Sequence, residues 1–327
     1  MEENKDAVLI FDADSIAYKA AAANETKSIT TTHIESGAVE HWDNRTAFRT
    51  FLKTTDHTED MYRIVDVQDP RHISYAQSLV REMMKGYCLR SGISNYEIYI
   101  SGDNNFRDFI PLPLKYKGKR DDTIRPVQLR ELRQWMIREL GAIPVHDMEV
   151  DDMSSIRAYE GVKAKQKVVQ CTIDKDALQC VGWLFNPDKD SAPRVIDGFG
   201  ELHRDGKGIK GTGRMWLYFQ SLYGDATDCY HGSTLWKMQD SKRKFGEVAA
   251  FNLLKDAQND KEAWEILYKQ YLEWYPTPQT YTAEYDGKEY TKDAVDMLQM
   301  YVDCAHMRRW KDDRIEVRAV LTKLGII

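Results

Sequence analysis

Cysteine is scarce and scattered: Cys88, Cys171, Cys180, Cys229 and Cys304 are the five in 327 residues, and no two form a Cys-x-x-Cys pair. A thiolate zinc site and a disulfide framework are therefore not expected, and a reducing compartment is. Apolar runs long enough to cross a bilayer are missing, so no membrane association is expected. The opening residues are acidic and mixed rather than basic and then apolar, which predicts no secretory signal and a cytoplasmic setting. No excess of basic charge is present either, since 46 Lys and Arg face 52 Asp and Glu for a formal charge of -6. That total does not exclude a nucleic-acid partner, because a clustered acidic site can coexist with a basic face. Lys115, Lys117, Lys119 and Arg120 form one basic run and Lys242-Arg243-Lys244 another. Each is also compatible with a plain solvated face.

Further absences narrow the chemistry. His203 and His231 have no Cys-rich or His-rich neighbourhood for zinc and no recognisable Ser-Asp partners. Gly206-Lys207-Gly208-Ile209-Lys210-Gly211-Thr212-Gly213 lacks the Gly-Lys-Ser/Thr ending of a Walker A loop and is read as a flexible connection, with DNA-backbone contact as the alternative. No repeat of solenoid length is found.

What the chain does contain is a recurrent pairing of an apolar strand with a carboxylate at its end. Ala7–Phe11 is followed by Asp12 and Asp14, Tyr96–Ile100 by Asp103, Ile143–Val145 by Glu149-Val150-Asp151-Asp152, and Gln166–Cys171 by Asp174 and Asp176. Helical spacing is predicted over residues 74–91, from 127 to 140 and from Met153 onward, so strands and helices alternate. Tyr223-Gly224-Asp225-Ala226-Thr227-Asp228 adds two more acids, and beyond it helices are predicted over 246–257, 262–274 and 292–310, with Pro276 and Pro278 separating the last two. Length and pattern predict an α/β fold with a mostly parallel central sheet flanked by helices and a helical C-terminal portion. Open α/β sheets bind ligands at the carboxyl ends of their strands. Acids at such positions also suit helix N-caps, and for Glu149–Asp152 and Asp14 both roles remain open. If the strand ends converge, unneutralised carboxylates repel, and oxygen-only ligands point to Mg²⁺ or Mn²⁺.

The order of these phrases resembles the FEN-like 5′-nuclease superfamily, especially bacteriophage 5′-to-3′ exonucleases. The similarity lies in Phe11-Asp12-Ala13-Asp14-Ser15 with Tyr18-Lys19-Ala20, Phe106-Arg107, Tyr116-Lys117-Gly118-Lys119-Arg120, Glu149-Val150-Asp151-Asp152, Asp174-Lys175-Asp176 and Gly224-Asp225-Ala226-Thr227-Asp228. It implies a PIN-like fold, a nuclease domain over 1–228 with a basic helical arch at 114–141, and a helical DNA-binding portion over 229–327. It also implies two Mg²⁺ ions, replaceable by Mn²⁺, with Asp12, Asp103, Glu149, Asp151, Asp152 and Asp174 around one and Asp176, Asp225 and Asp228 shaping the other. Asp12, Asp103, Asp152 and Asp174, with Lys117, Lys119 and Arg120 near the scissile phosphate, would be catalytic. Lys115, Lys117, Lys119 and Arg120 would contact DNA. Lys237, Lys242, Arg243 and Lys244 are added as backbone contacts from the residues themselves. The sequence departs from the family where a Gly-x-Gly and Lys-Thr-Ala helix-hairpin-helix phrase is expected, because Lys244-Phe245-Gly246-Glu247-Val248-Ala249-Ala250 keeps only its outline. The implied activity is a monomeric, metal-dependent 5′-to-3′ exodeoxyribonuclease acting at duplex ends, nicks, gaps or 5′ flaps, with RNA in a hybrid as a further substrate and the host cytoplasm as its setting if a bacteriophage encodes it. The alternatives are a structure-specific DNA endonuclease, an RNA-directed nuclease and a catalytically inactive nucleic-acid-binding protein.

Overall fold

Short runs of β-branched and aromatic residues that exclude water on both sides build the centre of the larger of two compact units. In the strand Val8–Asp12, Leu9, Ile10 and Phe11 are all fully buried, as expected of a strand covered on both faces. The computed structural model describes residues 6–120, 123–206 and 208–327. Asp121 and Asp122 of the expected arch, and Lys207 of the Gly-rich stretch, lie outside the described residues.

The chain forms two compact units. One comprises Met1–Ala13, Tyr87–Thr123 and Ala142–Ile327, and the other Asp14–Gly86 and Ile124–Gly141. The first holds a six-stranded sheet in the order Ile143–Val145, Asn95–Ser101, Val8–Asp12, Val168–Cys171, Gly182–Phe185, Arg194–Ile196. Every neighbouring pair is parallel except the last. This is the expected α/β class: a mostly parallel central sheet flanked by helices. The helix Val150–Ala164 packs on four of the strands. Gly161 permits that approach, since a Cβ there would stand 2.5 Å from a Val168 methyl.

Helices dominate the rest of this unit, as expected. Gly213–Tyr223 and Ala294–Ala305 pack on each other and on Asp260–Trp274, burying Leu222, Leu267, Tyr271, Leu298 and Tyr301. Two features depart from the sequence reading. Gly208–Gly211, within the stretch expected to be a flexible connection, pairs with Leu202–Asp205 in a hairpin. A second hairpin, Gln279–Thr282 with Glu289–Lys292, follows the proline break. No helix among the described residues is long and apolar enough to cross a membrane.

The second unit centres on a three-stranded antiparallel sheet, Val39–Trp42, Glu25–His33 and Tyr62–Pro70. The helix Arg45–Leu52 covers one face of it, with Phe48 against Trp42 at 5.7 Å between ring centroids. Asn24 ties the sheet to the returning chain, its Nδ2 donating to Arg71 O, His72 O and Gln128 Oε1. The helix Leu129–Leu140 contributes Trp135, on which Arg81 stacks at 4.9 Å.

After the helix Ala294–Ala305, the chain is fixed by a buried carboxylate. Asp313 accepts from His306 Nε2 at 3.0 Å and from the Arg309 amide and guanidinium at 2.7–2.9 Å. Burial opposes its charge, but the His306 and Arg309 hydrogen bonds outweigh that and hold its carboxyl well below the usual range. A carboxylate depressed in the folded state contributes stability above its unfolded pKa of about 3.9 and loses it as pH falls below that value. Replacing Asp313 with Asn should therefore cost about 2 kcal/mol at pH 7. Urea unfolding at neutral and acid pH checks this: the gap between parent and variant should narrow below about pH 4.

Candidate metal centre

Acidic residues reach one place because parallel strands end side by side and the chain turns there. Asp12 closes the strand Val8–Asp12, and Asp174 and Asp176 follow the neighbouring strand Val168–Cys171 in a turn in which Asp174 Oδ1 accepts the Asp176 amide at 2.9 Å. Glu149 caps the helix Val150–Ala164, whose first turn carries Asp151 and Asp152. The loop after the helix Gly213–Tyr223 supplies Asp225 and Asp228, closed by reciprocal hydrogen bonds between the Asp225 and Tyr230 backbones. Gly224 makes that loop possible. Its φ is 99°, and a Cβ on it would lie 2.1 Å from the Tyr230 carbonyl oxygen.

One oxygen from each of Asp176, Asp225 and Asp228 lies within 4.8 Å of the other two, and all three residues are buried. No second group of this spacing occurs among the described residues. Asp151 sits in the same field. Its Oδ1 is shielded from solvent and has no hydrogen-bond partner. Burial pushes Asp151 far above the usual carboxylate range, and the charges of Asp174, Asp12, Glu149 and Asp176 push it further. Burial also raises Asp176, with Asp174, Asp228 and Asp225 adding to the rise against a hydrogen bond from Gln220. Seven of the nine expected ligands thus share one electrostatic neighbourhood.

The other two are placed differently. The Asp103 side chain is 93% exposed, 4.0 Å from His146 Nδ1, which accepts the Asp103 amide. Asp152 is fully buried and faces Arg107. The guanidinium donates to its two oxygens at 2.5 and 3.0 Å and to the Cys304 and His306 carbonyls at 2.9 and 2.7 Å. Asp152 also accepts the Arg308 and Glu149 amides. Its burial is more than offset by Arg107, which holds it below the usual range.

Cations line the cluster. Lys117 pairs with Glu149 and lies 3.7 Å from Asp228, and Arg120 donates to Asp228 Oδ1 at 2.7 Å. Burial lowers the affinity of Lys117 for its proton, but Glu149 and Asp228 outweigh it and raise its pKa. Lys119 is exposed and Lys115 half-buried. In the second basic run, Lys237 and Arg243 donate to the Phe245 and Trp236 carbonyls, while Lys242 and Lys244 are exposed.

The sequence pointed to no role for Tyr116 or Gln220, and it left Lys175 either screening Asp174 and Asp176 or directed elsewhere. Tyr116 donates to Asp228 Oδ2 at 2.9 Å, Lys175 pairs with Asp225 at 2.7 Å, and Gln220 Nε2 donates to Asp176 Oδ1. Tyr116 and Lys175 lie inside phrases that carried the resemblance. Gln220, in the middle of a buried helix, was signalled only by being polar there.

An all-oxygen donor set with an orphaned carboxylate oxygen fits a hard divalent cation. No protein-family model matches the chain, and no curated protein does. Among solved structures the chain is similar to the T5 D15 protein co-crystallised with metal ions, at 10% identity, covering 97% of this chain and 92% of that one with a TM-score of 0.43. A likeness that distant lends no weight to the site.

Crowded carboxylates destabilise the metal-free protein, and a cation that binds only the folded state stabilises it. Asp151→Asn should raise the metal-free stability by on the order of 1 kcal/mol and reduce the stabilisation gained from added Mn²⁺. Calorimetric melting with chelator and with Mn²⁺ measures both effects.

Proposed function

We propose that this protein is a divalent-metal-dependent nuclease that hydrolyses DNA phosphodiesters in the 5′-to-3′ direction from duplex ends, nicks, gaps or 5′ flaps. The observation that carries this reading is the convergence of Asp12, Glu149, Asp151, Asp174, Asp176, Asp225 and Asp228 with Lys117 and Arg120 directly against them. Carboxylates without cations would repel a phosphate, and cations without carboxylates would bind one without the means to hold metal. The two together suit phosphoryl chemistry. Polarity and substrate form come from the resemblance in the ordered sequence phrases.

Asp176, Asp225 and Asp228 would hold one Mg²⁺, and Asp12, Glu149, Asp151 and Asp174 are the donors for a second. Bound cations of this kind lower the pKa of water and neutralise charge on the scissile phosphate. Lys117 and Arg120 stand at the edge of the cluster, where their heads would turn from Glu149 and Asp228 to phosphate oxygens, Arg120 as a planar fork and Lys117 as a point charge. Tyr116 and Gln220 orient Asp228 and Asp176 by single hydrogen bonds, so each carboxylate keeps a defined lone pair for a ligand. In this reading Asp152 is a positioning residue: its pairing with Arg107 fixes the helix start that presents Asp151 and Glu149. Asp103, exposed beside His146, takes no part. Lys115, Lys119, Lys242 and Lys244 are proposed to contact the DNA backbone.

The test uses DNA labelled separately at each end, in blunt, nicked and flapped forms, with Mg²⁺, Mn²⁺ or chelator. Cleavage should begin at the 5′ end, require the cation and fall about a hundredfold or more in Asp176→Asn. DNA binding by that variant should persist. Cleavage that survives both chelation and Asp176→Asn would contradict the proposal.

A further inference from the structure

The outer strand of the three-stranded sheet has one edge to which no other strand pairs among the described residues. Tyr62–Pro70 pairs with Glu25–His33 on one side only, and on the other, among the described residues, only the Tyr62 amide at its start is hydrogen-bonded, to the Glu59 carbonyl. Which groups face outward follows from the bonds that bracket the strand. The Ile34 amide donates to the Met61 carbonyl and the Arg71 amide to the Asn24 carbonyl, each at 2.9 Å. In an antiparallel ladder such pairs alternate, so Arg63, Val65, Val67 and Asp69 direct their backbone groups inward. Tyr62, Ile64, Asp66 and Gln68 direct theirs out. Pro70, which has no N–H, closes the row.

The side chains along this edge are complementary to themselves. Arg63, Val65, Val67 and Asp69 share the face opposite the helix Arg45–Leu52. All four are exposed, Val65 by 51% and Val67 by 37%. Among the described residues neither Arg63 nor Asp69 has an ion-pair partner. The strand midpoint is Asp66, and a two-fold axis there sets Arg63 of one copy against Asp69 of the other and Val65 against Val67. These fall at the non-hydrogen-bonded positions, where opposed side chains come closest. The outward backbone groups of Ile64, Asp66 and Gln68 then meet those of Gln68, Asp66 and Ile64. The two Asp66 carboxylates near the axis are each neutralised by Arg45 at 2.8 Å.

We propose that two copies of this chain associate edge to edge through Tyr62–Pro70, joining two three-stranded sheets into one continuous six-stranded antiparallel sheet. The edge has few of the protections that keep isolated strands apart: it carries no lysine, its proline stands only at the end, and among the described residues no other strand pairs with it. The association is isologous and closes on itself. It makes a dimer and no longer chain.

Sedimentation across a concentration series, on the full chain, tests this. The parent should pass from monomer to dimer as concentration rises. Arg63→Glu, which sets two acids opposite each other, should raise the dimer dissociation constant by at least about tenfold. Asp69→Arg should do the same by opposing two arginines, and the double variant Arg63→Glu with Asp69→Arg should restore the parent constant. Hydrogen exchange supplies a second measurement in the same protein. The Ile64, Asp66 and Gln68 amides should gain protection with concentration, while those of Arg63, Val65 and Val67 are protected throughout. A parent that stays monomeric up to its solubility limit would overturn the proposal and leave the edge to a different chain. So would a dimer indifferent to the charge reversals.

Discussion

Like charges crowded at the ends of parallel strands are the constraint to which the rest of this molecule answers. Folding carries Asp12, Glu149, Asp151, Asp174, Asp176, Asp225 and Asp228 into one neighbourhood, although burial and mutual repulsion both oppose the ionisation of Asp151 and Asp176. The surrounding structure meets that cost locally. Lys117, Arg120 and Lys175 stand as counter-ions, Tyr116 and Gln220 supply hydrogen bonds, and two neighbouring acids, Asp151 and Asp176, are left with strongly raised affinity for protons. An all-carboxylate site balanced in this way suits a compact, hard cation. The same balance leaves cationic side chains beside it that a phosphate can engage.

Arg107 shows how the cluster is held to the scaffold. Its fully buried guanidinium joins the start of the helix Val150–Ala164 to the carbonyls that end the helix Ala294–Ala305. Removing one member of so buried a pair would strand the other without a partner, which is far costlier than the pair is stabilising. Asp152 is therefore committed to geometry, while its neighbour Asp151, about 100° further round the helix, is turned toward the cluster. Capping and cluster formation were alternative explanations of the same four residues, and both occur: Glu149 and Asp152 form the capping box, Asp151 faces the cluster, and Glu149 belongs to both.

Much of this was legible in the residues and part of it was not. Four strands of the sheet could be read because they are short apolar runs, each followed by an acid, and the helical C-terminal portion because its apolar spacing is regular, whereas Gly182–Phe185 was not read as a strand. Asp103 obeys the same local rule as Asp12, yet the chain turns at Asn104, with φ of 65°, and carries it into solvent. No pattern in the strand before it encodes that turn. The three-stranded sheet leaves little trace in the sequence, because its strands bury little beyond Ile29 and Thr31. Periodicity is weak where so little is buried. The strand Gly208–Gly211 lies in a stretch, Gly206–Gly213, whose glycine and charge suggest a flexible connection, although glycine is what lets Gly211 pack beside Leu202 and Trp216. Gln220 and Arg107 act through partners 44 and 45 residues away, beyond the reach of any local rule.

The most direct examination of the central claim is anomalous diffraction from crystals of the protein grown with Mn²⁺. The account expects a manganese peak among the Asp176, Asp225 and Asp228 carboxylates, with Lys175 displaced from Asp225. An empty triad at saturating Mn²⁺, with Lys175 still seated on Asp225 and Lys117 on Glu149, would contradict it.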